Sequence, residues 1–177
     1  MNQNDLSAIF KAHDLDDYKW IVPQRDIVVA QWVRFRCMYG CSEYGVKGSC
    51  PPAVPPVDEC RAMLHEYSAA AMFHFPLASP QPEDTRKIWK RMYAAEREVF
   101  LAGYYKTFLL HVDSCPLCDP CPAEGTREKC VHRELSRPCL EGLGIDVYQT
   151  AKNVGYPIWV VRERDDAINR YALLLVE

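Results

Sequence analysis

Three cysteines at i, i+3 and i+6, Cys115, Cys118 and Cys121, constrain this chain more than any other feature. Cys130 follows after eight residues and Cys139 after eight more, within CPLCDPCPAEGTREKCVHRELSRPCLEGLGID. Thiols this dense either wrap a metal centre or pair as disulfides. A C-x2-C-x2-C run lets one short loop aim three sulfurs at one centre, which is how iron–sulfur clusters are commonly gripped. Tetrahedral zinc is more often held by two separated Cys pairs, so the triplet leans toward iron–sulfur and leaves zinc open. The chain has nine cysteines, an odd number that rules out a complete set of disulfides within it.

A second group stands upstream in CMYGCSEYGVKGSCPP: Cys37-x3-Cys41-x8-Cys50. Gly40, Gly45 and Gly48 allow tight bends and expose backbone N–H groups. Proline follows Cys50, Cys115 and Cys121, which stiffens each loop. The plain alternative for this group is a set of buried free cysteines beside a glycine turn. Cys60 falls with Met63, Leu64 and Tyr67 at i, i+3, i+4 and i+7 of a helix expected to begin at Pro55 or Pro56, so it has a ready place in a core.

Composition bounds the function classes. At 177 residues, 49% of them hydrophobic, the chain builds its own core; a single domain over 1–177 is expected. A net charge of −3 with no basic block gives no nucleic-acid footprint. The apolar runs fall short of the roughly 20 residues a bilayer span needs. The polar, acidic start MNQNDLSAIFKAHDLDD lacks the features of a signal peptide. A cytoplasmic protein with no membrane or nucleic-acid partner is expected. In such a compartment clustered thiols mean metal or redox chemistry rather than disulfides.

Residues 1–17 read as a short helix or loose arm. Alternation of Val29, Gln31, Val33 and Phe35 predicts a strand over 27–35 that delivers Cys37. Further strands are expected over 69–77, 106–112, 158–164 and 171–177. Ile88, Met92, Ala95, Val99 and Ala102 predict a long helix over 82–103, with Lys87, Lys90, Arg91, Glu96, Arg97 and Glu98 mostly toward solvent. Asp146 and Gln149 suggest a capping box for a helix that stops at Gly155. His74 reads as a satisfied core or edge histidine. The expected class is α+β, a mainly antiparallel sheet with helices on one face, ferredoxin-like as the topology. Two cysteine loops leaving strand ends side by side is part of that expectation.

Soft thiolates favour iron–sulfur clusters, zinc and Cu(I). Eight thiols suffice for two [4Fe-4S] clusters. The simplest partition is Cys37, Cys41, Cys50 and Cys60 for one and Cys115, Cys118, Cys121 and Cys130 for the other, with Cys139 equally available as a ligand. A closed centre carries electrons to a partner protein, whereas a three-thiolate cluster leaves an iron open as a Lewis acid. A third chemistry makes Cys41 or Cys139 a nucleophile with His111 or His132 as base. His132 also suits hydrogen bonding to a cluster sulfur. A zinc-stabilised interaction module remains as a non-redox alternative. Redox partner, substrate and oligomeric state are not readable from these residues.

Four segments, CMYGCSEYGVKGSCPP, FLAGYYKTF, CPLCDPC…C and RPCLEGLGIDVYQTAKNVGY, together closely resemble an uncharacterised prokaryotic family described as predicted metal-binding protein. The resemblance spans roughly residues 30–158. It implies a metal-binding, iron–sulfur protein of anaerobic metabolism, with no defined reaction. It matches Cys37, Cys41, Cys50, Cys115, Cys118, Cys121 and Cys130. The chain departs from it at Cys139, where serine is typical, and at Cys60, where no cysteine is expected. Seven matching thiols favour the open-iron alternative.

Overall fold

A computed structural model describes residues 2–81, 83–163 and 166–177. Helix α1 (Gln3–Ala12) is capped by Asn2, whose side chain accepts the Asn4 N–H at 3.2 Å. Strand β1 (Tyr18–Ile21) and the single turn α2 (Pro23–Asp26) follow, then α3 (Gln31–Gly40) and α4 (Val57–Leu64). Strand β2 (Ala70–Leu77) leads to the long α5 (Asp84–Leu101) and to β3 (Phe108–Leu110). After the second cysteine loop come a 3-10 turn (Glu141–Leu143), α6 (Val147–Val154) and β4 (Ile168–Leu175).

The four strands form one antiparallel sheet in the order β1-β2-β4-β3. β2 and β4 pair along their full lengths, from Ala70 opposite Leu175 to Leu77 opposite Ile168. Both faces are covered, and the alternation of side chains divides the core accordingly. Ala71, Phe73, Phe75, Leu109, Ala172 and Leu174 face Leu6 and Phe10 of α1 and Ile88, Met92, Ala95 and Val99 of α5. Ala70, Met72, Leu110, Tyr171, Leu173 and Leu175 face Cys60 and Leu64 of α4, Ala151 of α6, and Leu140 and Leu143. Burial on both faces is why AAMFHFPL and YALLLVE read as continuous apolar runs.

The expected α+β class and antiparallel sheet are present; the helices cover both faces instead of one. The order of strands and helices is β-α-β-α-β-α-β, which departs from the β-α-β-β-α-β of ferredoxin-like folds. The expected strand over 27–35 is a correction. Residues 27–30 are extended, with Val29 bridging Ile145, but α3 starts at Gln31. Only Val33 of α3 is buried; Trp32 and Phe35, which helped the run mimic a strand, face solvent, as do Met38 and Tyr39 further along the helix. The N-terminal strand is instead β1, which pairs with β2. Residues 158–163 form no strand, with Trp159 and Val160 exposed, and Arg164 lies outside the described residues. The long helix begins at Asp84, and Pro82, expected as its first residue, also lies outside them.

One charge expected on the wet side of α5 is inside. Glu96 accepts the Leu109 N–H at 2.8 Å and the Arg137 Nε–H at 2.9 and 3.0 Å to its two oxygens. This carboxylate ties α5, β3 and the return from the second cysteine loop together. His74 is satisfied as expected, with Asp17 at 2.6 Å and Asn169 at 2.7 Å. Among the described residues no helix is long and apolar enough to cross a membrane.

Candidate metal centre

Two helical turns and two loops sort the cysteines. Cys37 lies in the last turns of α3, and Cys41 caps that helix by donating its N–H to the Cys37 carbonyl at 3.3 Å. Arg34 on the same helix donates to the carbonyls of Pro55 (3.0 Å) and Gly142 (2.7 Å), which holds α3 against the 3-10 turn. The chain then bends back to Cys50. Cys139 arrives from the other side, placed by a parallel bridge to His111 and by the His111 N–H donating to the Pro138 carbonyl at 2.8 Å. Cys37, Cys41, Cys50 and Cys139 line one cavity of about 580 Å³. Glu43, Tyr44, Asp113, Glu141, Arg36 and Arg170 share its wall.

The thiols of this set interact directly. Cys139 beside it draws the Cys50 thiol below its ordinary pKa, while Cys50, together with burial, pushes Cys139 well above its own. Cys139 sulfur also accepts the Gly142 N–H at 3.3 Å. Burial raises Cys37, and neighbouring Cys41 raises it further. The Cys37 thiol donates to the Glu141 carbonyl at 3.8 Å. Glu141 is pushed up to about 7 by burial.

The second set gathers Cys115, Cys118, Cys121 and Cys130 around a gap of only about 10 Å³, shared with Lys47, Ser49, His132 and Ser136. All four cysteines are half-buried. Burial raises Cys115 and Cys118, and charge on Cys130 acts on both. Lys47, donating to the Cys115 carbonyl at 2.8 Å and paired with Glu43 at 3.4 Å, works against that rise.

The two loops lie side by side, as expected, although the first leaves a helix and not a strand. Gly125 donates its N–H to the Val46 carbonyl at 2.8 Å. It has φ +70°, and a Cβ there would overlap the Gly45 carbonyl. A Cβ on Gly48 would meet the Thr126 carbonyl at 2.8 Å and the Cys130 Cβ at 3.2 Å. The glycines thus let backbone meet backbone. Gly125→Ala is expected to part the loops and cost about 1–3 kcal/mol from strain and overlap. Gly103→Ala, at φ +101° with open space around it, bears the strain alone. Denaturant midpoints and metal retention against a chelator, compared for the two variants, check this.

Cys60 belongs to neither set. It is 2% exposed in the core against the sheet, and its thiol donates to the Pro55 carbonyl at 3.5 Å. Of the two further candidates, Cys139 lines the cavity with Cys37, Cys41 and Cys50 and Cys60 does not, because the segment after β3 returns to α3 while α4 turns Cys60 inward. Sequence spacing gave no signal for this, since Cys139 is distant in the chain from Cys50. The nucleophile reading finds no geometry. No hydrogen bond joins either imidazole to Cys41 or Cys139 among the described residues; His132 lines the other set's gap. His111 is fully buried, its Nε2 without a partner, and burial brings its pKa down to about 4.

The donor set suits a soft metal centre, with thiolates in two groups of four. Among the described residues no three His, Cys, Asp or Glu side chains are gathered tightly enough to hold a single metal ion as they stand. No curated protein and no solved structure gives a significant match to the chain. One family model, described as predicted metal-binding protein (DUF2284), matches residues 20–176. With nearly its whole length matched, the chain belongs to this family of predicted metal-binding proteins.

Proposed function

We propose that the chain holds two thiolate-bound iron–sulfur centres, one on Cys37, Cys41, Cys50 and Cys139 and one on Cys115, Cys118, Cys121 and Cys130, and passes electrons to a partner protein. The observation that carries this is the division of eight cysteines between two cavities, four to each, with the ninth in the core. Around one zinc ion the sulfurs sit about 2.3 Å from the metal and crowd together. A four-iron cluster spreads its four thiolates over separate corners. The roomy first cavity, with four cysteines around it, supports the cluster there. When bound, such a centre supplies one-electron redox chemistry. The protein's own part is to hold the four thiolates, to shield Cys50 and Cys139 from water, and to keep Lys47 beside both sets as a compensating charge. Trp32, Phe35, Met38 and Tyr39, exposed on the helix that carries Cys37, support approach of a protein partner.

Anaerobic purification with iron, sulfide and zinc analysis tests this. About eight irons per chain, with matching sulfide, is the expected result. Zinc without iron or sulfide overturns it. The small gap at Cys115, Cys118, Cys121 and Cys130 favours one second reading, a structural zinc there beside a single cluster at the first set. About four irons and one zinc would select it. A cluster spectrum that responds to added small ligands would instead select an open iron at the first set, where the 580 Å³ cavity leaves room for substrate.

A further inference from the structure

Ser49 is 5% exposed, and its hydroxyl oxygen, sealed from solvent, has no hydrogen-bond partner. Sealed hydroxyls normally find one. The residue precedes Cys50 of the first set, yet it lines the gap enclosed by Cys115, Cys118, Cys121 and Cys130. Gly48 makes this possible, since any side chain there would strike the Thr126 carbonyl and the Cys130 Cβ. Ser49 lies between this gap of about 10 Å³, at the lower limit for one water, and a cavity of about 570 Å³ on its other side; the gap is where the four sulfurs lie. The groups around that gap which gain negative charge on binding metal are the four sulfurs. A hydroxyl is a chemically suitable donor to a thiolate sulfur.

We infer that the Ser49 hydroxyl donates a hydrogen bond to a thiolate sulfur of the metal centre held by Cys115, Cys118, Cys121 and Cys130. This rests on the second set binding metal as proposed above. Ser49 is a positioning residue: it sets the electron-holding tendency and the metal retention of a centre to which its own loop contributes no ligand. Lys47, two residues earlier, adds a cation at the same wall. The first cysteine loop therefore tunes the second centre. Hydrogen bonds to sulfur are a recognised control on cluster potential.

Ser49→Ala removes the donor with little change in volume, and Ser49→Thr restores it. In the iron-loaded protein, Ser49→Ala is expected to move one of two redox waves to more negative potential, by about tenfold in the one-electron equilibrium, roughly 59 mV. The other wave stays in place, and Ser49→Thr returns the first toward wild type. Metal release from the second set to a chelator, followed in parallel, is expected to speed up several-fold in Ser49→Ala. That second readout applies whether iron or zinc is bound, so a zinc result in the metal analysis overturns the iron–sulfur reading and leaves this inference to be decided by release rates. Unchanged potential together with unchanged release overturns it, as does an equal shift of both waves.

Discussion

Replacing Cys139 by alanine is expected to remove the metal of the first set, about half the total, while Cys60→Ala leaves metal content unchanged. Cys139 lines the same cavity as Cys50, Cys37 and Cys41. Three thiolates without it leave a corner unprotected. Cys60 is a core side chain whose thiol meets only the Pro55 carbonyl among hydrogen-bond acceptors, so its loss is felt as stability, on the order of 1 kcal/mol. Iron, sulfide and zinc analysis of both variants, with urea unfolding of each, separates the two effects. The reverse pattern, with metal lost in Cys60→Ala and kept in Cys139→Ala, would return Cys60 to the first set.

Glu96→Ala is expected to have the largest effect on stability, about 3–5 kcal/mol, because it leaves a half-buried arginine and a buried backbone donor without their acceptor. The Glu96 side chain is 5% exposed and the Arg137 side chain 18%. Arg137 otherwise donates to the carbonyls of Glu134 and Ser136, neither of which neutralises its charge. Glu96→Gln keeps an acceptor for the Leu109 N–H and is expected to cost less. Arg137 lies two residues before Cys139, so loosening it should also speed metal release from the first set. Urea unfolding and chelator-driven release measure the two consequences. A Glu96→Ala variant as stable as Glu96→Gln would show that the ion pair contributes little.

Much of the fold was legible in local signals. The heptad-like spacing from Ile88 to Val99 marked α5, and Asp146 does cap α6, accepting the Gln149 N–H at 3.0 Å. The double-faced apolar runs marked β2 and β4. What misled was a short aromatic and β-branched run at 27–35, extended only to Ala30 and helical from Gln31, with Trp32 and Phe35 exposed; alternation over so few residues does not separate strand from helix. At the site, the Cys115 group was legible because its ligands are neighbours in sequence. Cys139 was not, because only the pairing of the segment after β3 with α3 brings it to Cys50. Glu96 was hidden for the same reason: helical spacing says which face a charge occupies, and not that an arginine forty-one residues later will cover it.

The last strand to be made sits in the middle of the sheet. β4 enters between β2 and β3, so neither of the sheet's faces can close until residues 168–175 have joined. Both cysteine loops leave the ribosome earlier than that. For this interval the two loops display their eight thiols unprotected on a scaffold whose β2 and β3 still lack the strand that joins them, a condition open to oxidation and to strand-mediated aggregation. Metal delivered before β4 docks would have to fold the loops by itself, whereas metal delivered afterwards meets loops already set face to face. Assembly of the proposed centres is thereby expected to be timed by a strand that carries no cysteine.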